Sequence, residues 1–313
     1  MDLNFLFSEK ASDTERKDFL LALNARGITA TDLVEFVHFL LPRDFPELPA
    51  ALDICGTGGS GLARFNVSTV NAFLLAAAGL PIAKHGNRAA GGRCGSFDLL
   101  ESLGVPFDFS AEQLKKIFAR ENLIFIFARN FFPAMRFFAK VRTELKVPTI
   151  FNLLGPLLNP ARVQYQIVGT NSRKNAKLLT QAARDLGRKK FAAVTAENGL
   201  DEITLTGKTF VSEFNGKEVK ETELSAADFS LPEYSFAEIA GGDLAFNTQL
   251  AREILQNQRQ DAHTDLVLAN AAFALKFWGK VPDLQEGVSQ AREILAKGLA
   301  KQKLEASCQA SSN

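Results

Sequence analysis

Two glycine-rich loops, each led in by a short apolar run, constrain this chain more than any other feature. Leu52-Asp53-Ile54-Cys55 reads as a buried strand that runs into Gly56-Thr57-Gly58-Gly59-Ser60-Gly61, and a helix follows from about Ser68 to Ala78, closed by Gly79. Glycine lets the backbone take positive φ and approach a ligand closely. Successive exposed N–H groups form an anion nest, and the helix start adds its dipole. Asn66, Ser68 and Thr69 fall at that helix start, where their side chains can meet phosphate oxygens. The loop lacks the Gly-Lys-Ser/Thr ending of a nucleotide P-loop. A second strand, Pro81-Ile82-Ala83-Lys84, leads into a loop that carries Lys84, Arg88 and Arg93 among Gly86, Gly91, Gly92 and Gly95. Loops at the ends of neighbouring parallel strands face one crevice, the usual ligand site of an open α/β sheet. The plainer reading of Lys84 and Arg88 is solvated loop charge.

The remaining pattern fits such a sheet. Ser12-Asp13-Thr14-Glu15 matches a capping box, with Phe19, Leu20 and Leu23 at helical spacing and Gly27 as the stop. Thr31 or Asp32 is placed to cap a second helix that Pro42 ends. Helices are expected at 110–121, 133–145 and 173–186, and strands near 123–128, 164–168 and 191–194. A hairpin is expected around Asn215-Gly216, with helices from 247 to 304. Alternating strands and helices imply an α/β fold: a small N-terminal helical domain plus a larger α/β domain with a mostly parallel central sheet flanked by helices. The expected boundaries are 1–46 for the helical domain, with a contributing helical segment near 130–147, and 47–129 with 148–313 for the α/β domain.

Composition removes several classes. A net charge of +1 gives no global field to attract nucleic acid or an anionic membrane, so an anion site must be built locally. The longest apolar stretch, near Val70–Ala83, contains Asn71 and Pro81 and is too short to span a bilayer. Cys55, Cys94 and Cys308 have no metal-ligand spacing, and no basic-then-apolar leader follows Met1. A reducing, cytoplasmic setting without disulfides is therefore expected. The 27 Phe against 2 Tyr read as compositional bias. His38 and His263 read as helix-surface residues. The acidic run Glu197-Asn198-Gly199-Leu200-Asp201-Glu202 follows a strand. Alone it is surface charge, but beside phosphate loops it suits Mg²⁺, which takes a few carboxylates plus phosphate oxygens and water.

Several strings occur in a fixed order: Gly56-Thr-Gly-Gly-Ser-Gly61, Asn66-Val-Ser-Thr69, Lys84-His-Gly-Asn-Arg88, Gly95-Ser-Phe-Asp-Leu-Leu-Glu101, Phe151-Asn-Leu-Leu-Gly-Pro-Leu157 with Asn159-Pro160, and Gly199-Leu-Asp-Glu202. In that order the chain resembles the anthranilate phosphoribosyltransferase family of tryptophan biosynthesis. The resemblance implies transfer of a phosphoribosyl group from phosphoribosyl pyrophosphate to the amine of anthranilate, with release of pyrophosphate. It implies that the donor meets Gly56, Gly59, Ser60, Arg64, Asn66, Val67, Ser68, Thr69, Lys84, His85, Gly86, Asn87, Arg88, Ala89, Ala90, Gly91, Gly92 and Ser96. It places anthranilate at Gly56, Asn87 and Arg142, and Mg²⁺ at Ser68, Asp201 and Glu202. No residue is implied as a certain catalytic acid or base. A homodimer through the helical domain is implied, with no nucleic-acid or membrane partner.

The chain departs from that family's pattern at several positions. Ser60 stands for an aspartate, Arg64 for a threonine, Gly91, Gly92 and Cys94 for serines, Phe132 for a histidine and Pro148 for an arginine. These leave open a same-fold enzyme with another acceptor, including a nucleoside phosphorylase, and a non-catalytic nucleic-acid-binding protein. The Asp201-Glu202 pair speaks against a phosphorylase, which needs no magnesium–pyrophosphate clamp.

Overall fold

The computed structural model describes residues 2–58, 62–89 and 94–310. The chain opens with three helices, α1 (Leu3–Leu6), α2 (Asp13–Arg26) and α3 (Ala30–Leu40). The capping box at α2 forms as the sequence indicates: Glu15 N–H donates to Ser12 Oγ, and Ser12 N–H donates to the Glu15 carboxylate at 2.7 Å. The α3 cap differs from expectation. Thr29, not Thr31 or Asp32, starts that helix, because Thr29 and Asp32 bond reciprocally and satisfy two orphan N–H groups at once. Arg26 then pairs with Asp32 across the turn.

The α/β part follows as β1 (Leu52–Gly56), α4 (Val67–Ala77), β2 (Ile82–Gly86), α5 (Ser96–Leu103), α6 (Ala111–Glu121) and β3 (Leu123–Phe127). Helix α7 (Ala128–Phe131) leads to a 3₁₀ stretch at Pro133–Phe138, then α8 (Ala139–Leu145) and α9 (Phe151–Leu157). The segment read as one helix is thus split, with proline opening the 3₁₀ turn. Strand β4 (Tyr165–Gly169), α10 (Arg173–Asp185) and β5 (Lys190–Ala196) lead to the hairpin β6 (Thr209–Phe214) and β7 (Val219–Leu224). Helices α11 (Phe236–Ile239), α12 (Leu244–Leu255), α13 (Ala262–Trp278), α14 (Leu284–Ala296) and α15 (Leu299–Cys308) complete the described chain. None of its helices is long and apolar enough to cross a membrane.

The strands form one sheet in the order β3-β2-β1-β4-β5-β6-β7. The pairs from β3 to β5 are parallel and the last two are antiparallel. The chain builds outward from β1 to β3, then returns to place β4 on the other side of β1. That reversal is the topological switch point. Gly56 and Gly169 lie side by side at its C-terminal edge.

Side chains alternate across the sheet, as strand geometry requires. Ala192, Val194 and Ala196 face the core under α4 and α12–α15, while Phe191 and Ala193 face α10 and the N-terminal helices. The second core explains part of the phenylalanine excess. Phe7, Phe36, Phe138 and Phe151 meet there with ring centroids 4.7–6.4 Å apart. Aromatic pairs at such spacings add to simple area burial. Phe36 is fully buried in this cluster. Phe36→Ala should lower unfolding stability by about 3–5 kcal/mol in a urea titration, the usual range for emptying a buried phenylalanine site. An unchanged midpoint would mean that the cluster is not packed as described.

Candidate functional site

At the switch point the chain leaves β5, turns at Gly199 and brings Asp201 over the ends of β1 and β4. The turn is closed by Gly199 N–H to Ala196 O and Ala196 N–H to Leu200 O, both 2.9 Å. Asp201 fits because glycine stands on both strands beneath it. A Cβ on Gly169 would overlap the Asp201 carbonyl, and one on Gly56 would strike its carboxylate. Gly58 N–H donates to Asp201 Oδ2 at 3.1 Å, and Arg64 Nη1 pairs with Oδ1. Thr57 N–H is taken by Gly169 O at 2.8 Å. The Gly56–Gly58 end of the glycine loop, Arg64 and the acidic pair are therefore one cluster.

A buried polar floor supports it. Asp53, fully buried, accepts His85 N–H at Oδ1 (3.2 Å) and the amides of Asn159 and Gln166 at Oδ2 (3.0 Å each). These bonds tie β1, β2 and β4 together. Lys84 is not a loop cation. It lies in β2, 2% exposed, and its ammonium donates to Ile54 O at 2.5 Å and Ser68 Oγ at 3.2 Å. Burial pushes the Asp53 carboxyl up, against the pull of Lys84 and the amide donors, and pushes the Lys84 ammonium down.

At the start of α4, Asn66 donates to Cys94 O (3.1 Å) and accepts from Asn247 Nδ2 (3.2 Å), joining both loops to α12. The Val67 and Thr69 side chains point into the core, and Thr69 Oγ1 has no partner among the described residues. In the second loop, Arg88 makes two parallel bonds to Glu101 (2.6 and 2.7 Å), and Ala89 N–H is taken by Asp98 at 2.9 Å. Asn87 and Ser96 close the loop on itself, with Ser96 Oγ donating to Asn87 O at 3.2 Å. Gly59, Ser60, Ala90, Gly91 and Gly92 lie outside the described residues, as does Arg93.

On the other side of β2, the His85 ring packs edge-on to Phe132, centroids 5.8 Å apart. Burial first, then the nearby Lys84 charge, push its imidazole down to about 3, against the Gly155 carbonyl. His85 is therefore neutral near pH 7, and its Nε2 has no partner among the described residues. Arg142 is exposed and stacks on Phe151 at 5.1 Å, without a carboxylate partner among the described residues. Phe151 and Gly155 stand four apart in α9, on one helical face. That face links the Arg142 and His85 neighbourhoods.

Sequence reasoning missed the roles of Asn159, Gln166 and Asn247. Asn247 touches Asn66 and the Arg64 carbonyl across more than 180 residues. The one local hint was the Gly241-Gly242-Asp243 start of α12. His263, which reads from the sequence as a helix-surface residue, departs from that expectation. It is buried, its Nε2 lies 3.0 Å from Ala240 O, and its ring meets Phe65.

The acidic pair is all oxygen, and with the Ser68 hydroxyl it matches the donor chemistry of Mg²⁺. Glu202 is partly buried and has no hydrogen-bond partner among the described residues. Burial, then the Asp201 charge, raise its carboxyl to about 8, with Arg64 opposing. A cation would relieve that situation, so the residues fit the ion.

Across residues 48–301 the chain matches the model of the Glycosyl transferase family, a/b domain. Fold and site together thus define a glycosyltransferase of the α/β class. The anthranilate phosphoribosyltransferase of Synechococcus sp. (strain JA-3-3Ab) is 38% identical over 306 residues, 97% of this chain and 89% of that protein. The solved anthranilate phosphoribosyltransferase of Thermus thermophilus is similar at TM-score 0.88 and 35% identity, covering 97% of this chain and 92% of that one. The Saccharomyces cerevisiae enzyme, solved in complex with PRPP and Mg, is similar at TM-score 0.86 and 30% identity, covering 96% and 86%. The chain belongs to the anthranilate phosphoribosyltransferase family.

In metal-free buffer, the native protein should lose stability relative to Glu202→Gln as pH rises from about 4.5 to about 8. Over that interval the unfolded carboxyl has lost its proton while the folded one keeps it, so stability falls with pH. Urea midpoints of the two proteins across that range test this. Parallel curves would show that the carboxyl is not held up.

Proposed function

We propose that this chain transfers the phosphoribosyl group of phosphoribosyl pyrophosphate to the amine of anthranilate, at the C-terminal edge of β1, β2 and β4. The observation that carries the reading is the convergence there of the Gly56–Gly58 loop end, the α4 start and the Asp201-Glu202 pair. The C1–oxygen bond to pyrophosphate breaks, a C1–nitrogen bond to the amine forms, and the amine gives up one proton. Positive charge develops on the sugar ring as pyrophosphate leaves. Magnesium, when bound, would offset charge on the leaving pyrophosphate. Ser68, Asp201 and Glu202 would hold it.

The rest falls to the chain's own residues. Asp201 and the strand ends fix the Gly56–Gly58 end of the loop that faces the donor, and Lys84 braces Ser68 from below. An arylamine is weakly basic and needs little deprotonation before it attacks, so orientation outweighs a general base. The site thiols are no nucleophiles, since burial pushes Cys55 well above its ordinary range and Cys94 to about 11. The acceptor carboxylate belongs at Arg142, whose guanidinium beside α9 has no carboxylate partner among the described residues and is suited to a bidentate grip. A homodimer through the helical unit and a cytoplasmic setting belong to the same reading.

Anthranilate fluorescence, followed with phosphoribosyl pyrophosphate and Mg²⁺, tests the reaction directly. Signal should fall with the native protein. An unchanged signal at high enzyme concentration would sink the assignment. The Asp201→Ala/Glu202→Ala protein should lose the magnesium dependence of turnover, and an unaltered dependence would remove these residues from the metal. Arg142→Ala should raise KM for anthranilate by about tenfold to a hundredfold, the value of a charged hydrogen-bond pair. KM for the donor should stay near native.

A further inference from the structure

Arg64 stands where the family pattern has a threonine, and the fold builds it in. Its backbone forms a bridge with Ala240, and its carbonyl accepts Asn247 Nδ2 at 3.2 Å. Ala63 O on one side takes Gly241 N–H at 3.3 Å, and Phe65 on the other is buried against His263. From this anchor the guanidinium reaches Asp201, whose side chain is 1% exposed against 33% for Arg64. Gly58 N–H occupies the other carboxylate oxygen. Both oxygens of the residue read as a metal ligand are thus engaged by protein donors.

We infer that Arg64 is an internal counter-ion, which holds Asp201 while the site is free of metal and must release it before a divalent cation can take that carboxylate. The inference rests on the metal reading of Asp201 and Glu202 given above. Arg64 offsets the Asp201 charge that would attract a cation. Guanidinium and metal ion are like charges drawn to one carboxylate, and they repel at the few-ångström spacing that sharing it would impose. Release is feasible because, among the described residues, Asp201 is the only ion-pair partner of Arg64, and its guanidinium is the more exposed of the two groups. While paired, the guanidinium already lies beside Gly58, at the end of the loop read as the anion site. Arg64 is in this sense a positioning residue that sets the threshold for metal entry.

The test is Mn²⁺ binding to the substrate-free enzyme, read from the electron paramagnetic resonance signal of the free ion. Arg64→Thr should bind Mn²⁺ on the order of tenfold tighter than native, the scale of a typical coupling between two ligands of one site. Adding Asp201→Asn should erase the gain. Arg64→Thr should also melt lower than native without divalent ions, because Asp201 is left buried and unpaired. It should recover more than native when Mg²⁺ is added. Arg64→Gln, neutral and of similar length, serves if the threonine variant does not fold. Equal Mn²⁺ affinities for native and variant, both lost with Asp201→Asn, would overturn the counter-ion role and leave the metal reading intact. No binding by either protein would overturn both.

Discussion

Asp201 pressed onto the ends of β1 and β4 is the contact on which the rest of the site depends. The sheet register sets Gly56 beside Gly169, and only glycine at both positions admits the Asp201 backbone and carboxylate. Because β4 joins the sheet on the far side of β1, the crevice above this pair is not crossed by a connecting helix. The turn from β5 can therefore enter it. Once Asp201 is there, Gly58 and Arg64 follow as its donors, and Glu202 is drawn into a partly buried place beside a like charge. One packing event thus fixes the Gly56–Gly58 end of the first loop and creates the electrostatic tension that a cation would relieve.

The charges beneath that crevice behave differently. Asp53 and Lys84 lie fully inside the protein, where isolated charges are costly, and each is surrounded by groups that satisfy it. The Asn159 and Gln166 amides bond Asp53, and both also bond backbone carbonyls, of Ala83 and Pro156. Lys84 spends its ammonium on β1 and on Ser68. Little of this charge faces a ligand. Its effect is rigidity: β1, β2, β4 and the α4 start are cross-linked, so the loops above them spring from fixed points. Ser68 feels it most directly, since its hydroxyl accepts from Lys84 and is thereby oriented.

Local rules made the fold readable. Ser12 with Glu15 and the strand-to-glycine transitions at Gly56 and Gly86 are short-range signals, and the structure places them accordingly. The parallel core with its antiparallel hairpin follows from element order and the Asn215-Gly216 turn. What short-range signals could not carry were contacts between distant segments. Lys84 reads as a loop cation because nothing near it reveals the carbonyl of Ile54 or the hydroxyl of Ser68. His263 reads as solvated until Ala240 and Phe65 close over it. Arg64 reads as a charge offered to phosphate, and the structure instead sets it on a carboxylate 137 residues away. The phenylalanine excess reads as bias until α3, the 3₁₀ turn and α9 bring Phe36, Phe138 and Phe151 together.

The two halves of the site are therefore held by different physics, and this bears on the departures from the family pattern. The donor half hangs from the sheet edge through charges and backbone bonds, so a change such as Arg64 acts electrostatically and at close range. The half proposed for the acceptor hangs from α9, whose Phe151 face belongs to the aromatic core shared with the N-terminal helices. There Phe132 fills space against the His85 ring, and burial keeps that imidazole neutral. With a phenyl ring at position 132 and a neutral His85, neither residue supplies positive charge to an acceptor carboxylate. The guanidinium of Arg142, carried on Phe151, is the group on that side whose charge has no carboxylate partner among the described residues. On the proposed reading, recognition of the acceptor rests on how firmly the phenylalanine core holds α9 in place.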